Sequence, residues 1–194
     1  MSERALSDEV ESCLQQRDVT LGQLNDTLDK RGFALVLMLL LLPSALPIPT
    51  GGVTHVLELC AVVVTLQMIA GRSDLWLPRR IAAHSLGETF TAKAATKMLR
   101  FLRWFERHSR PRGVRLLDTR LAVSGFGIAM LLFVLGALVA PPFTGLDTLP
   151  SLGVVVVCVG LLLHDGLIAA AGVVVGVVGL VLTLVLGVAA WSLL

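Results

Sequence analysis

Charged residues are scarce in this sequence and unevenly placed. Only 15% of its 194 residues are Asp, Glu, Lys or Arg, against about 25% in soluble domains. None occurs from Leu121 to Ala140 or from Gly166 to Leu194. Uncharged apolar runs of about 18 residues or more read as membrane spans. The deficit therefore excludes an ordinary soluble domain and argues for one membrane domain.

Cysteine is sparse too. Cys13, Cys60 and Cys158 stand far apart, with no CxxC or Cys/His spacing, which excludes a disulfide framework and a zinc site. Cys60 and Cys158 read as small apolar residues inside helices. Enzyme signatures are missing: there is no P-loop, HExxH or GxSxG, and no GxGxxG after a strand. No catalytic residue, cofactor or metal is expected. A signal peptide is not expected either. The residues before Phe33 are acidic and too long for an n-region, and no small-residue cleavage pattern follows the first apolar run.

What is present is organised around Leu41 to Gly71. Pro43, Pro47 and Pro49, then Gly51 and Gly52, interrupt an otherwise apolar helix. Proline removes a backbone donor, so the break must lie at a membrane surface or be buried in protein. Before it, Phe33 to Leu46 is only 14 residues, about 21 Å of helix against a hydrocarbon core of about 30 Å. This segment either spans with help from Pro47 to Pro49 or enters part-way. After the break, Val53 to Ala70 is long enough to span. It carries Thr54, His55, Glu58, Thr65 and Gln67, a candidate polar membrane site. At 100° per residue Thr54, Glu58 and Thr65 share one face, His55 flanks it and Gln67 points elsewhere. A carboxylate there is costly unless it is paired, protonated or beside water. His55 and Glu58, three residues apart, could relay a proton; the alternative is a structural carboxyl bonded to the threonines.

The stretch is echoed 94 residues later. Pro47 meets Pro141, Thr50 meets Thr144, Gly51 meets Gly145 and Thr54 meets Thr148, while Glu58 meets Leu152. The expected fold is an all-α integral membrane protein of four to six embedded helices, with two related hairpins (an internal repeat) joined by a basic amphipathic helix. Residues 1–31 form an acidic segment, 32–71 the first hairpin, 72–120 the basic section and 121–194 the second hairpin with its C-terminal helix or helix pair.

Met1 to Asp29 sets seven carboxylates against two arginines, a net of −5. Asp8 with Glu11 fits a capping-box start, and Leu14, Leu21, Leu24 and Leu28 give an amphipathic signal. A surface helix resting on the bundle, or one docking a partner, is expected. The 72–120 section sets twelve basic residues against four acidic ones, a net of +8. Within it Phe90, Ala94, Met98, Phe101 and Phe105 make an apolar row beside Lys93, Lys97, Arg100, Arg103 and Arg107, with Trp104 at the edge. Such a helix lies in a lipid interface and makes the five basic residues candidate head-group ligands; it ends at Pro111 and Gly113. Nucleic acid is not an expected partner, because the basic residues abut spans.

Leu121 to Ala140 is a full span, followed by a turn through Pro141, Thr144, Gly145 and Thr148. An apolar segment from Leu152 to Leu163 reaches the polar break His164-Asp165-Gly166. The final 29 uncharged residues would make about 43 Å of helix, so they are tilted or divided near Gly176 to Gly179. Gly172 and Gly176 form a GxxxG pattern that either packs helices closely or arises by chance in a Gly/Val-rich run. Lys and Arg gather before Phe33 and in 72–120 and avoid both proline turns, which places the N-terminus and the basic section in the cytoplasm.

These features together resemble the ExoD family of exopolysaccharide-synthesis membrane proteins. The residues that carry the resemblance are Arg31-Gly32-Phe33, Leu42 to Pro49, Leu66 to Arg72, Leu75-Trp76-Leu77-Pro78, the basic helix from Trp104 to Pro111, and Asp165-Gly166-Leu167. His164 departs from the pattern, where an acidic or neutral residue is expected. The resemblance implies a multi-pass bacterial inner-membrane protein needed to make or export surface polysaccharide, with no established catalytic residue. An accessory role is then expected, with membrane lipids, a polyprenyl phosphate, polysaccharide-synthesis proteins and a second copy of the chain as candidate partners. The alternative is a small transporter or lipid-handling protein whose polar pathway lies at the broken helices and Glu58.

Overall fold

The computed structural model describes residues 32–46, 53–72, 100, 103–105, 107, 109, 119–140 and 144–191. Among them five helices are described from end to end: α1 (Gly32–Ala45), α2 (Val53–Ile69), α3 (Arg120–Val139), α4 (Thr148–Leu162) and α5 (Gly166–Trp191); Arg100, Arg103 to Phe105 and Arg107 are helical too. The acidic segment, Pro47 to Gly52 and most of the basic section lie outside the described residues.

Each helix stops for a local reason. Gly71 takes a left-handed φ of 68° after α2. Its N–H donates to the Met68 carbonyl at 3.1 Å, and that of Arg72 to Gln67 at 3.2 Å, the paired bonds of a Schellman cap. The Thr119 hydroxyl accepts from the Ala122 N–H at the start of α3, and Pro141-Pro142 follows its end. Gly145 turns the chain into α4 at φ 70°. That helix begins at Thr148, four residues before the apolar run at Leu152, and tolerates Pro150 because first-turn N–H groups have no helical partner.

The junction of α4 and α5 is the tightest corner. His164 sits at φ 52°, a conformation that favours glycine. His164 N–H donates to Leu161 and Asp165 N–H to Gly160, a second Schellman cap. Asp165 then caps α5 at once: its Oδ1 accepts the Leu167 N–H at 3.0 Å and the Ile168 N–H at 3.5 Å. The chain reverses with no residue spare.

The helices sort into inner and outer. Every residue of α1 except Pro43 is buried, and α4 is buried along most of its length. These are the two shortest, about 21 and 22 Å. By contrast α3 and α5, about 30 and 39 Å, are long and apolar enough to cross a membrane, and only 28% of each spanning window is buried. Val139, Val174, Leu184 and Val185 are among their exposed side chains. The first apolar segment is thus a core helix, enclosed by protein.

The C-terminal run is one helix, so its glycines do not divide it. They let α4 and α5 touch backbone to backbone. A Cβ on Gly153 would strike the backbone of Gly176, and one on Gly160 that of Ala169. One on Gly172 would lie 2.5 Å from the Val157 nitrogen, and one on Gly179 2.6 Å from the Pro150 nitrogen. Gly172 and Gly176 therefore both serve helix packing. Gly153→Ala and Gly160→Ala should each destabilise the protein by about 1–3 kcal/mol through overpacking. Gly187→Ala, where a Cβ meets nothing within 4 Å, should be neutral or stabilising. Thermal unfolding in detergent checks both; equal effects at all three positions would contradict this packing.

Candidate functional site

Segments 32–71 and 121–194 contain no Lys or Arg and only three carboxyl groups, Glu58, Asp147 and Asp165. Their placement defines the polar chemistry of the bundle.

Glu58 lies in the second turn of α2 with its side chain fully buried. The His55 Nδ1 approaches its Oε2 to 3.1 Å, within ion-pair distance but off the line of a directed hydrogen bond, so both carboxyl oxygens and the imidazole nitrogen have no hydrogen-bond partner among the described residues. Ser44 from the end of α1 and Asp147 from the start of α4 are the other polar neighbours of Glu58. The Ser44 hydroxyl, 2% exposed, also makes no hydrogen bond among the described residues. Residues bordering both interhelical breaks thus lie within electrostatic reach of one carboxyl. Its position explains its isolation. It is the sixth residue of the helix, past the four free N–H groups of the N-terminus, and its neighbours on α2 are mostly apolar.

Thr65 and Gln67 do not join this group. Thr65 is buried, but its hydroxyl donates to its own helix at the Ala61 carbonyl, 2.7 Å, and it stands about 10 Å along the axis from Glu58. Gln67 is also buried and donates to the Val63 carbonyl at 3.3 Å. Thr54 is buried near the start of α2. Sequence reasoning does not reach Ser44 and Asp147 as neighbours of Glu58, because the 94-residue shift pairs Glu58 with Leu152 and says nothing of contacts between unlike positions. The signal available was a serine between two prolines and a lone carboxylate in a turn without Lys or Arg.

Of the turn residues, Thr144 and Gly145 are described. The Thr144 hydroxyl accepts the Leu146 N–H at 3.4 Å, and the Thr183 hydroxyl of α5 donates to the Leu146 carbonyl at 3.2 Å. Pro47, Pro49, Thr50, Gly51 and Pro141 lie outside the described residues. So do Lys93 and Lys97. Arg100, Arg103 and Arg107 are exposed, while Phe105 turns inward to pack on the core. Trp104 is 56% exposed and meets Phe105 edge to face at 4.9 Å. At the same end the Ser109 hydroxyl reaches Asp165 Oδ2 at 3.5 Å.

Comparison with known sequences gives this arrangement a family. Residues 4–185 match the family described as "Exopolysaccharide synthesis, ExoD". The chain belongs to the ExoD family. It is 27% identical over 201 residues to Protein ExoD of Rhizobium meliloti, covering 98% of this chain and 81% of that one. It is 31% identical over 177 residues to an uncharacterized protein of Synechocystis sp., covering 89% and 82%. No solved structure is a significant match. Membership ties the chain to exopolysaccharide synthesis, and with the two exposed apolar helices it marks a membrane protein.

A buried polar group without partners opposes folding, and replacing it with an apolar group of similar shape is near neutral or stabilising. Glu58→Leu should therefore match or exceed the wild type in thermal stability in detergent. A loss of more than about 1 kcal/mol would show the carboxyl to be structurally engaged.

Proposed function

We propose that this protein is a multi-pass component of the bacterial inner membrane that serves exopolysaccharide synthesis or export in an accessory role. It holds anionic lipid or a polyprenyl phosphate at its cytoplasmic face. The supporting observation is the outward set Arg100, Arg103 and Arg107 beside an inward Phe105; with Lys93 and Lys97 the sequence extends this into one basic row. Each such residue near an anionic surface is worth roughly 1 kcal/mol. The charge asymmetry supports a cytoplasmic basic section. An impermeant thiol reagent that labels a cysteine at position 95 in intact cells would overturn that orientation.

The repeat belongs to this proposal too. α1 packs on α4 while α2 packs on α3, the crossed pairing that a two-fold exchange of hairpins produces. Ser44 and Asp147, which border the two breaks, also neighbour Glu58. Polysaccharide-synthesis proteins and a second copy of the chain are the proposed protein partners.

Lipids co-purifying with the full-length protein test the main reading. A dedicated site should retain one phosphate-bearing lipid in the wild type and lose most of it in Arg100→Ala or Arg103→Ala. A general surface anchor should show a graded loss with little lipid preference. Unchanged bound lipid in both variants would end the electrostatic reading.

The buried Glu58 group favours a second reading, a carrier or lipid-handling protein whose pathway runs between the broken helices. A carrier that uses this carboxyl should lose polysaccharide output in Glu58→Gln at unchanged protein abundance. A scaffold should tolerate the near-isosteric change.

A further inference from the structure

Glu58 is enclosed and His55 is not. The imidazole is 31% exposed and the carboxyl 0% exposed, with 3.1 Å between Nδ1 and Oε2. One side chain thus reaches from the surface to a group that nothing else visibly solvates. An unpaired carboxylate stripped of water is costly, and so is an unpaired neutral acid. Such a site is tolerated where its occupancy changes.

The surroundings narrow what could occupy it. α1 presents Ser44 and no titratable group, and the N-terminus of α4 presents Asp147. No titratable side chain lies within α5, and the only one in α3 is Arg120. Gly127 of α3 faces Ile69 at the far end of α2, so Arg120 stands at the opposite end of the bundle from Glu58. Among the described residues the pair is one imidazole and one carboxyl, with the Ser44 hydroxyl and the Asp147 carboxyl as polar neighbours. A metal ion would require a fuller shell of oxygen or nitrogen ligands, and no group of three or more His, Cys, Asp or Glu among the described residues could hold one.

We infer that His55 and Glu58 form a proton-exchange site, His55 the port and Glu58 the store. A proton from water adds to Nε2 and makes an imidazolium. The Nδ1 proton then passes to Oε2, leaving a neutral imidazole and a neutral carboxylic acid, and the reverse sequence returns the proton to water. Charge inside the bundle is conserved in the transfer step, so the carboxyl is neutralised without a buried counter-ion. Ser44 supplies the hydroxyl that can accept from the acid or donate to the carboxylate. This deepens the carrier reading above and rests on it for what the proton drives.

The test is infrared spectroscopy of the full-length protein in phosphatidylethanolamine–phosphatidylglycerol vesicles, stepped between about pH 5 and about pH 9. The expected result is a protonated-carboxyl stretch that appears and disappears with pH, persists in Asp147→Asn and is absent from a folded Glu58→Gln. His55→Ala should keep the band but slow its response to a pH jump about tenfold or more. A Glu58 band that does not respond to pH, or one that responds equally fast without His55, would overturn the inference. So would a band that sodium displaces at fixed pH, which would make the site one for a metal cation. The signal needs no transported substrate. A titrating band in a protein whose Glu58→Gln strain exports normally would end the carrier reading and leave the proton site standing.

Discussion

The close approach of α4 and α5 governs the rest of the bundle. Gly153 and Gly160 on one helix and Gly172 and Gly179 on the other remove side chains where the two backbones meet, while Gly176 leaves room for the Phe133 ring of α3. In a lipid environment there is no hydrophobic drive to press helices together, so such contact has to come from van der Waals packing and small residues. With α5 held this tightly, the other faces of α4 turn to α1 and α3. Val154, Val155 and Val157 enter the common core, and Cys158 Sγ lies 3.8 Å from Met130 Sδ. The enclosure of α1, and with it the burial of Ser44 at its end, follows from that placement.

The existence of each helix was legible, because every apolar run bounded by Pro, Gly or charge became one. Roles within the bundle were not. A helix apolar on all sides has no periodic pattern to say which face meets protein, so the enclosure of α1 by the other helices was not legible. The same ambiguity affected the glycines of α5. Glycine weakens a helix in isolation, which leaves tilt or division near Gly176 to Gly179 open from sequence, but the helix runs unbroken to Trp191. The start of α4 is hard to place from sequence, since Thr148 to Ser151 carries little apolar signal, and Pro150 is compatible with either a turn or a first helical turn.

The candidate site was half visible. His55 and Glu58 share one helix, and their spacing alone brings them together. Ser44 and Asp147 come from other helices, and only tertiary packing unites them with Glu58. Thr65 and Gln67 show the opposite failure. A polar residue on a helix can satisfy itself on the carbonyl four residues back, so a shared or neighbouring face does not make a shared site.

The bundle places an acid beside a histidine at both ends, and the difference between the two pairs carries the functional argument. Asp165 follows His164 at a helix start, where free backbone N–H groups wait for an acceptor. It takes two of them and the Ser109 hydroxyl as well. Its charge is spent on holding α5 to α4 and on receiving the basic section, and a structural role accounts for it. Glu58 is placed beyond the reach of its own helix's free amides, and neither oxygen completes a hydrogen bond with a described residue. Stability does not explain a carboxyl in that position, since an apolar side chain would pack there at lower cost. Of the three carboxyls in the bundle, Glu58 is the one whose presence calls for something that comes and goes.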